Sequence, residues 1–259
     1  MPLSLIQTGT QPRPFRMLLH GTEGIGKSTM CKFAPKPIFI QTEDGLDQID
    51  VAKFPLAKSY DAVKNNLMSL LEETHDFLTV VIDSLDWLEK LAVLKILGEF
   101  KSKKTLADFD YGKGYAMLIP LFEDILAILH RLREDKNMNI ILVAHTKTEK
   151  VEDPTGASYD QYAPRLDKRV NGLVKEWCDI IGFASHYMRK EEQDENFGGK
   201  RTVAKSITEG GTDRQLILEG SPAIVAKCRY QMPGRSPLIG KEFFKNLWNA
   251  IPLAPLYSK

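Results

Sequence analysis

Residues 21–28 read Gly21-Thr22-Glu23-Gly24-Ile25-Gly26-Lys27-Ser28 and match the pattern G-x-x-x-x-G-K-[ST] at every fixed position. An apolar run from Phe15 to His20 precedes them and predicts a buried strand. The residues from Lys27 to about Phe33 predict a helix, which ends before Pro35. A strand, a glycine-rich turn and a helix in this order predict the opening unit of an α/β fold.

Apolar runs alternate with helical patterns through the first half of the chain. Continuously apolar strands are predicted at 37–41, 77–83 and 139–144, and helices at 60–73, 85–100 and 115–133, with Pro120 as a site for a kink. This alternation predicts a mostly parallel sheet with helices on both faces. The polar stretches 98–114 and 146–167 are predicted to be loops.

The second half of the chain has a different pattern. It predicts a helix at 169–177, strands at 179–188, 201–208 and 224–230, and an amphipathic terminal helix at 240–251. The alternation in 201–208 is typical of a half-exposed antiparallel strand. We therefore expect one domain over residues 1–259, with a core at about 15–190 and a C-terminal extension of strands and a terminal helix at about 200–259.

Composition and charge exclude several classes of protein. The formal net charge is +1, so a contact with nucleic acid must come from a local patch and not from bulk charge. Three dispersed cysteines, Cys31, Cys178 and Cys228, form no metal-binding or disulfide pattern and are typical of a reducing compartment. Without a signal-peptide pattern or an apolar run of about 18 residues, the sequence predicts a cytoplasmic protein and no membrane contact.

The glycine-rich stretch has the chemistry of a phosphate-binding loop. Its glycines allow backbone N–H groups to turn inward around phosphate oxygens. Lys27 is expected to reach the β- and γ-phosphates of a nucleotide, and the hydroxyl of Ser28 is expected to bind Mg²⁺. The predicted nucleotide-binding residues are therefore Gly21 to Ser28 together with Thr29.

Polar residues end the other three predicted strands of the core. Asp83, at the end of the third strand, could hold Mg²⁺ through water, or it could cap the following helix. Glu43, just after the second strand, could polarise an attacking water, although acidic residues there are often only turn formers. His145, after the fourth strand, could donate a hydrogen bond to the γ-phosphate, or it could be a surface histidine. Since ligands of α/β sheets bind at the carboxyl ends of strands, all three residues are candidates for one site.

These strand ends, in this order, resemble the core of RecA-like ATPases. The likeness is most specific in Phe39-Ile40-Gln41-Thr42-Glu43-Asp44-Gly45-Leu46-Asp47, and it extends to Val81-Ile82-Asp83-Ser84. The resemblance implies ATP and Mg²⁺ as cofactors, with Asp83 as the second acidic element at the metal. It also implies that Glu43 is the catalytic base and that His145 senses the γ-phosphate.

A basic strand near the C-terminus adds to the resemblance. Ala226-Lys227-Cys228-Arg229-Tyr230 is similar to the strand that RecA-like proteins offer to the ATP of a neighbouring subunit. The resemblance therefore implies that Lys227 and Arg229 act catalytically in trans. Two solvated charges on an edge strand would explain the same residues.

From about Phe15 to Tyr230 the chain is similar to the phage-encoded, single-domain RecA-like ATPases of the Sak type. These are annealing or recombination proteins that work with a single-strand binding protein. The resemblance implies a DNA-stimulated ATPase that acts on single-stranded DNA, a homo-oligomer with ATP at subunit interfaces, and a phage protein in the host cytoplasm. The sequence departs from the larger recombinases because it lacks a separate DNA-binding domain and their polymerisation motif, so filament formation is not implied.

Two stretches correspond to the loops that face DNA in RecA-like proteins, residues 98–115 and 146–169. Lysines can neutralise phosphates, and aromatic side chains can stack on bases for ~1–3 kcal/mol each. Acidic residues dilute the positive charge in both stretches, and solvated mobile loops would have the same composition. The candidate DNA contacts are Lys101, Lys103, Lys104, Lys113, Phe100, Phe109, Tyr111 and Tyr115 in the first stretch, and Lys147, Lys150, Arg165, Lys168, Arg169, Tyr159 and Tyr162 in the second.

Three other functions remain open for this sequence. A helicase-like or loader ATPase would use the same fold. A small-molecule kinase would use the same loop but needs an arginine-rich lid, for which Arg131 and Arg133 are poor candidates. A nucleotide-gated binding module would bind without turnover, and Glu43 argues against it.

Overall fold

The computed structural model describes residues 13–154, 156–194, 200–206, 214–237 and 240–250, together with residues 6, 8 and 9. The strands in these ranges are β1 (Arg16–Gly21), β2 (Pro37–Gln41), β3 (Ala52–Lys53), β4 (Thr79–Asp83), β5 (Asn139–Val151), β6 (Tyr159–Pro164), β7 (Ile180–His186), β8 (Met188–Asp194), β9 (Lys200–Ser206), β10 (Arg214–Ile217), β11 (Lys227–Cys228) and β12 (Arg235–Pro237). The α-helices are α1 (Lys27–Cys31), α2 (Tyr60–Glu72), α3 (Leu85–Glu99), α4 (Lys113–Ala116), α5 (Leu118–Asp135), α6 (Lys168–Trp177) and α7 (Gly240–Ala250).

The main sheet is parallel at its centre and antiparallel at one side. Its strand order is β12-β10-β7-β1-β5-β4-β2-β3, and every neighbouring pair from β7 to β3 is parallel. β10 is antiparallel to β7 and β12 is antiparallel to β10. β8 and β9 form a separate antiparallel pair. The predicted fold class, a mostly parallel α/β sheet with antiparallel strands in the C-terminal part, is therefore confirmed.

Helices cover both faces of this sheet because its central strands are apolar on both sides. Leu18, Ile40 and Ile82 belong to a core cluster with α2, α3, α5 and α6. The alternate strand residues Met17 and Phe39 belong to a second cluster with α1 and α7. Burying each such side chain stabilises the fold by about 1.5–3 kcal/mol, so both layers hold the strand ends in place. Among the described residues, no helix is both long enough and apolar enough to cross a membrane.

The predicted loop at 146–167 is wrong. β5 continues as far as Val151 and pairs antiparallel with β6, with Thr146 opposite Pro164. The apolar run of β5 ends at Ala144, and the strand residues from Lys147 to Val151 alternate between half-buried and exposed positions. A polar, half-exposed hairpin has the composition of a loop, and this explains why the sequence alone did not reveal it.

The stretch 98–114 is not a simple loop, because it contains two 3₁₀ helices, Leu106–Asp108 and Asp110–Gly112. The predicted helix 115–133 is divided into α4 and α5, and Pro120 lies in the first turn of α5. Proline needs no backbone donor there, so Pro120 does not kink the helix interior.

Three further strand predictions differ in extent from the structure. The strand predicted at 179–188 ends at His186, and the strand predicted at 224–230 is only the two residues of β11. The predicted strand 201–208 corresponds to β9, and residues 207 and 208 lie outside the described part of the chain. β3, β8, β10 and β12 were not predicted, since each is short or partly polar.

Candidate active site

The predicted phosphate-binding loop joins β1 to α1 at the carboxyl end of the sheet. Gly24 and Gly26 have φ angles of 72° and 98°, a left-handed conformation that costs glycine little. Gly21 is needed for a different reason, because a Cβ there would lie 2.6 Å from the carbonyl oxygen of Ala184 in β7. The shape of the loop therefore depends on glycine at all three positions.

Lys27, the first residue of α1, is only 6% exposed. Its Nζ atom donates to the carbonyl oxygens of Gly21 at 3.0 Å and Thr22 at 2.8 Å. Burial lowers the pKa of Lys27, because two carbonyl dipoles replace only part of its hydration. A bound anion that accepted a hydrogen bond from Nζ would supply the stabilisation of the positive charge that burial has removed.

Ser28 and Asp83 form a pair of oxygen ligands beside Lys27. The Ser28 hydroxyl donates to Oδ2 of Asp83 at 2.5 Å. Burial raises the pKa of Asp83, although the hydrogen bond from Ser28 and the charge of Lys27 oppose the shift. A divalent cation would stabilise this buried carboxylate, and Mg²⁺ commonly takes one or two protein oxygens and completes its shell with water and phosphate. The residues present therefore fit Mg²⁺.

Glu43 is held in place by a bridge between the ends of β2 and β4. The Thr42 hydroxyl donates to the carbonyl of Ser84 at 2.6 Å and accepts from the Ser84 N–H at 2.8 Å. The Ser84 hydroxyl in turn donates to Oε2 of Glu43 at 3.1 Å. The Glu43 side chain keeps about 33% of its exposure, so water can reach the carboxylate.

His145 lies at the carboxyl end of the buried part of β5, with Nδ1 at 3.8 Å from Oε2 of Glu43. The carboxylate of Asp86, in the first turn of α3, accepts from the His145 backbone N–H at 3.0 Å and lies 3.0 Å from Nδ1. Arg165 donates from Nη2 to the same carboxylate at 2.9 Å, and its Nη1 lies 3.4 Å from Oε1 of Glu23. Burial alone would raise the pKa of Asp86, but the hydrogen bonds from His145 and Arg165 hold it below its usual range.

One cavity of about 260 Å³ connects these groups. The polar side chains that line it are those of Lys27, Ser28, Thr29, Glu43, Asp83, His145 and Arg214. Two residues of this site were not predicted from the sequence. Asp86 carries only the weak signal of an acidic residue in a first helical turn, and Arg214 carries no local signal because its place depends on the pairing of β10 with β7.

Lys227 and Arg229 lie towards the other end of the sheet. Lys227 pairs with Ile181 of β7, whereas the phosphate-binding loop begins at the level of Ala184. The Nζ atom of Lys227 donates to the carbonyl of Lys175 at 2.6 Å, and Arg229 donates to Asp179 at 3.0 Å. Both side chains are engaged within their own chain, and their role in trans stays a prediction.

The two predicted DNA-contacting stretches approach each other. A Cβ on Gly112 would lie 3.5 Å from Nη2 of Arg169. Tyr111 precedes this glycine and is 98% exposed. Two of the predicted DNA-contacting cations make contacts within the chain instead. Arg165 binds Asp86, and Lys147 donates to the carbonyl of Leu166. DNA contact by the remaining residues stays a prediction.

The fold and the site define a P-loop nucleotide-binding domain. Residues 13–230 match the model of a protein family described as "AAA domain", and the chain therefore belongs to this family. The match supports an AAA-type domain, which is the coarser part of the class expected from the sequence. No curated protein matches the chain in sequence.

Two solved structures resemble the chain over most of its length. One is the crystal structure of the RadB recombinase, with 13% identity, a TM-score of 0.46, and 87% of each chain covered. The other is the crystal structure of the flagellar accessory protein FlaH from Methanocaldococcus jannaschii, with 12% identity, a TM-score of 0.37, and 87% of this chain and 90% of that chain covered.

Proposed function

We propose that this chain is a Mg²⁺-dependent, RecA-like ATPase that acts on single-stranded DNA in phage-type recombination or annealing. The observation that carries the proposal is the meeting of the ends of β1, β2 and β4 with the end of the buried part of β5 around one cavity. A phosphate loop, an oxygen ligand pair and a carboxylate that water can reach are the groups that nucleotide hydrolysis requires. The whole of residues 1–259 would act as a single ATPase domain.

Binding of the nucleotide would use the loop and the ligand pair. On binding, Lys27 would release the carbonyl oxygens of Gly21 and Thr22 and donate to the β- and γ-phosphates instead. The backbone N–H groups of the loop would bind the same phosphates. Ser28 and Asp83 would hold Mg²⁺, which when bound neutralises the charge on these phosphates.

Hydrolysis would depend on Glu43 and His145. Glu43 would take a proton from a water molecule as the water oxygen bonds to the γ-phosphorus and the bond to the β–γ bridging oxygen breaks, so that ADP and phosphate leave. His145, whose ring is oriented by Asp86, would contact the γ-phosphate and so sense its presence. The contact of Arg165 with both Asp86 and Glu23 would link nucleotide state to the β5–β6 hairpin.

The DNA site would lie where residues 98–115 approach residues 146–169. Tyr111 offers an exposed ring for a base, and Arg169 offers a cation for a phosphate. In this proposal the protein is a cytoplasmic homo-oligomer with ATP at subunit interfaces, and its partner is a single-strand binding protein. A helicase-like or loader activity on the same fold would use the same two stretches.

A small-molecule kinase is less well supported by the contacts of the chain. Arg133, one of two candidate lid residues, is 7% exposed and donates to the carbonyl of Pro14 at 2.6 Å. A lid residue must be free to close over phosphates, and a buried arginine that holds the start of β1 is not.

The first test is ATP binding and hydrolysis, with and without single-stranded DNA, by wild type, Lys27→Ala and the control Lys32→Ala. Lys32 is exposed and directly follows α1. We expect Lys27→Ala to lose hydrolysis at least tenfold and Lys32→Ala to match wild type. A wild-type protein that binds no ATP, or a Lys27→Ala variant with full turnover, would overturn the assignment.

The second test addresses DNA. We expect Tyr111→Ala to weaken single-stranded DNA binding about tenfold, which corresponds to roughly 1.4 kcal/mol of stacking. The control is Phe33→Ala, another exposed aromatic residue, which lies after α1 and outside both stretches. If wild type binds no single-stranded DNA in any nucleotide state, the proposed DNA function is wrong even where the ATPase is intact.

A further inference from the structure

Arg214 enters the nucleotide cavity from a strand that the phosphate-binding motif does not include. It is the first residue of β10 and lies opposite His186 of β7, while Gly21 of β1 lies opposite Ala184 of the same strand. β10 therefore runs past the start of the phosphate loop, and its first side chain stands at the carboxyl end of the sheet. Arg214 lines the cavity together with Lys27 and Ser28.

The guanidinium of Arg214 covers the glycine that precedes Lys27. A Cβ built on Gly26 would lie 2.7 Å from Nη1 of Arg214. Glycine at this position thus serves two purposes, because it allows the left-handed turn and leaves room for the guanidinium. The backbone N–H groups of this turn and the Arg214 donors can converge on the same anion.

Within the described part of the chain, no neighbouring carboxylate balances the charge of Arg214. Among the described residues, none lies within ion-pair distance of it, whereas Arg16, Arg165 and Arg229 each bind an aspartate. A guanidinium presents donors in a planar fork that matches phosphate oxygens. An arginine that lies over a phosphate loop and has no described carboxylate partner is available for an anionic ligand.

We propose that Arg214 is a catalytic residue that acts in cis, contacts the terminal phosphates of the bound nucleotide and stabilises the charge that develops on them during hydrolysis. This inference rests on the proposed function of the cavity as an ATP site. It means that each chain supplies its own arginine, and that Lys227 and Arg229 of a neighbour are not required for charge stabilisation.

The test compares Arg214→Ala and Arg214→Lys with the control Arg235→Ala. Arg235 is an exposed arginine on β12, the strand next to β10. We expect Arg214→Ala to lower single-turnover hydrolysis at saturating ATP by about 10²–10³-fold, since one lost oxyanion donor has an effect of this size. Arg214→Lys should recover ATP binding but little of the rate, because a point charge lacks the fork. Arg235→Ala should match wild type.

A mixing experiment separates action in cis from action in trans. Arg214→Ala and Lys27→Ala should regain no activity when mixed, because both groups serve the same nucleotide in the same chain. Recovered activity in the mixture would overturn the cis assignment. Arg214→Ala hydrolysing ATP within twofold of wild type would overturn the catalytic role.

The same measurements also distinguish failure of this inference from failure of the proposed function. If wild type hydrolyses ATP, Lys27→Ala does not, and Arg214→Ala is as active as wild type, the ATP site stands and only the inference about Arg214 is wrong. If wild type neither binds nor hydrolyses ATP, the proposed function and this inference are both wrong. Melting temperatures of all variants, measured without nucleotide, confirm that each protein is folded.

Discussion

The two ends of the central sheet use their charged residues in opposite ways. At the amino end, the carboxylate of Asp179 is only 8% exposed and binds Arg16 at 2.7 Å, with Arg229 at 3.0 Å and Arg133 at 3.8 Å. At the carboxyl end, Asp83 is equally buried, yet its hydrogen-bond partner is the neutral hydroxyl of Ser28.

This difference appears in the pKa values of the two aspartates. Burial alone would raise both, but hydrogen bonding and the charge of Arg16 keep the pKa of Asp179 lowered, while the pKa of Asp83 is raised. At the amino end, the carboxylate of Asp179 is paired with arginines, and these ion pairs hold the fold together. At the carboxyl end, the charge of Lys27 compensates the buried Asp83 only in part, so that its pKa stays raised, and this is the property expected of a site that binds a cation and a polyphosphate.

The largest effect is expected at the carboxyl end, from Glu43→Gln. The amide keeps the size of the side chain but cannot take a proton from water, so ATP hydrolysis should fall about 10²–10⁴-fold while ATP binding is retained. Single-turnover phosphate release and equilibrium binding measure the two quantities. Asp44→Asn, an adjacent exposed carboxylate, is the control and should leave both unchanged. Wild-type turnover in Glu43→Gln would remove Glu43 from the mechanism.

The next effect is expected at the amino end, from Asp179→Ala. The change leaves the buried Arg133 and the half-buried Arg16 without their anion, so the free energy of unfolding should fall by about 3–5 kcal/mol. Turnover per folded molecule, assayed well below the melting temperature, should stay within twofold of wild type. Urea unfolding provides the measurement. The exposed pair of Lys36 and Asp76 is the control, where Asp76→Ala should leave the free energy of unfolding nearly unchanged.

Glu89 of α3 gives an intermediate effect that depends on pH. Its carboxylate accepts from the backbone N–H of Asp167 at 2.8 Å, and burial raises its pKa from 4.5 to about 7. Since the folded pKa lies above the unfolded one, the stability that protonation contributes is complete below pH 4.5 and is lost as the pH rises through 7.

The corresponding variant is Glu89→Gln, which is neutral at all pH values. Its free energy of unfolding, relative to wild type, should rise by about 1–2 kcal/mol between pH 4 and pH 8, a figure reduced for partial exposure. Glu123→Gln on the exposed side of α5 should show no such trend. A pH-independent difference for Glu89→Gln would mean that its carboxyl group titrates normally.

The smallest effect is expected from Arg229→Ala. Its side chain is 54% exposed, so loss of the contact with Asp179 should cost at most about 1 kcal/mol. ATP turnover should not change if Arg229 serves only its own chain. Loss of turnover in Arg229→Ala, with recovery on mixing with Lys27→Ala, would instead establish the trans-acting role and weaken the contrast between the two ends.

Much of the fold was predictable because its information is local. β1, β2 and β4 are continuously apolar, and their boundaries agree with the sequence within two residues. The β5–β6 hairpin was missed because its outer half carries polar residues on an exposed face. β10 was missed because a short, mixed segment becomes a strand only by pairing with β7, about 30 residues earlier in the chain.

The residues of the candidate site also fall into two groups, those that local sequence patterns predict and those that they do not. Lys27 and Ser28 follow from a motif with fixed spacing, and Glu43, Asp83 and His145 follow from their positions at the ends of apolar strands. Asp86 and Arg214 could not be predicted in this way. Asp86 joins the site through its contact with His145, and Arg214 reaches the cavity because β10 pairs with β7. Local patterns revealed the groups on the core strands but not those supplied by surrounding elements.

The most direct test of the contrast is thermal unfolding of wild type and Asp83→Asn, with and without Mg²⁺ and ATP. Without ligands, we predict that Asp83→Asn melts about 2–4 °C above wild type, because a buried charge without a cation is removed at a gain of about 1 kcal/mol. Mg²⁺ and ATP together should raise the melting temperature of wild type but have much less effect on Asp83→Asn. A variant that melts below wild type and still shows the full ligand-dependent increase would contradict the account.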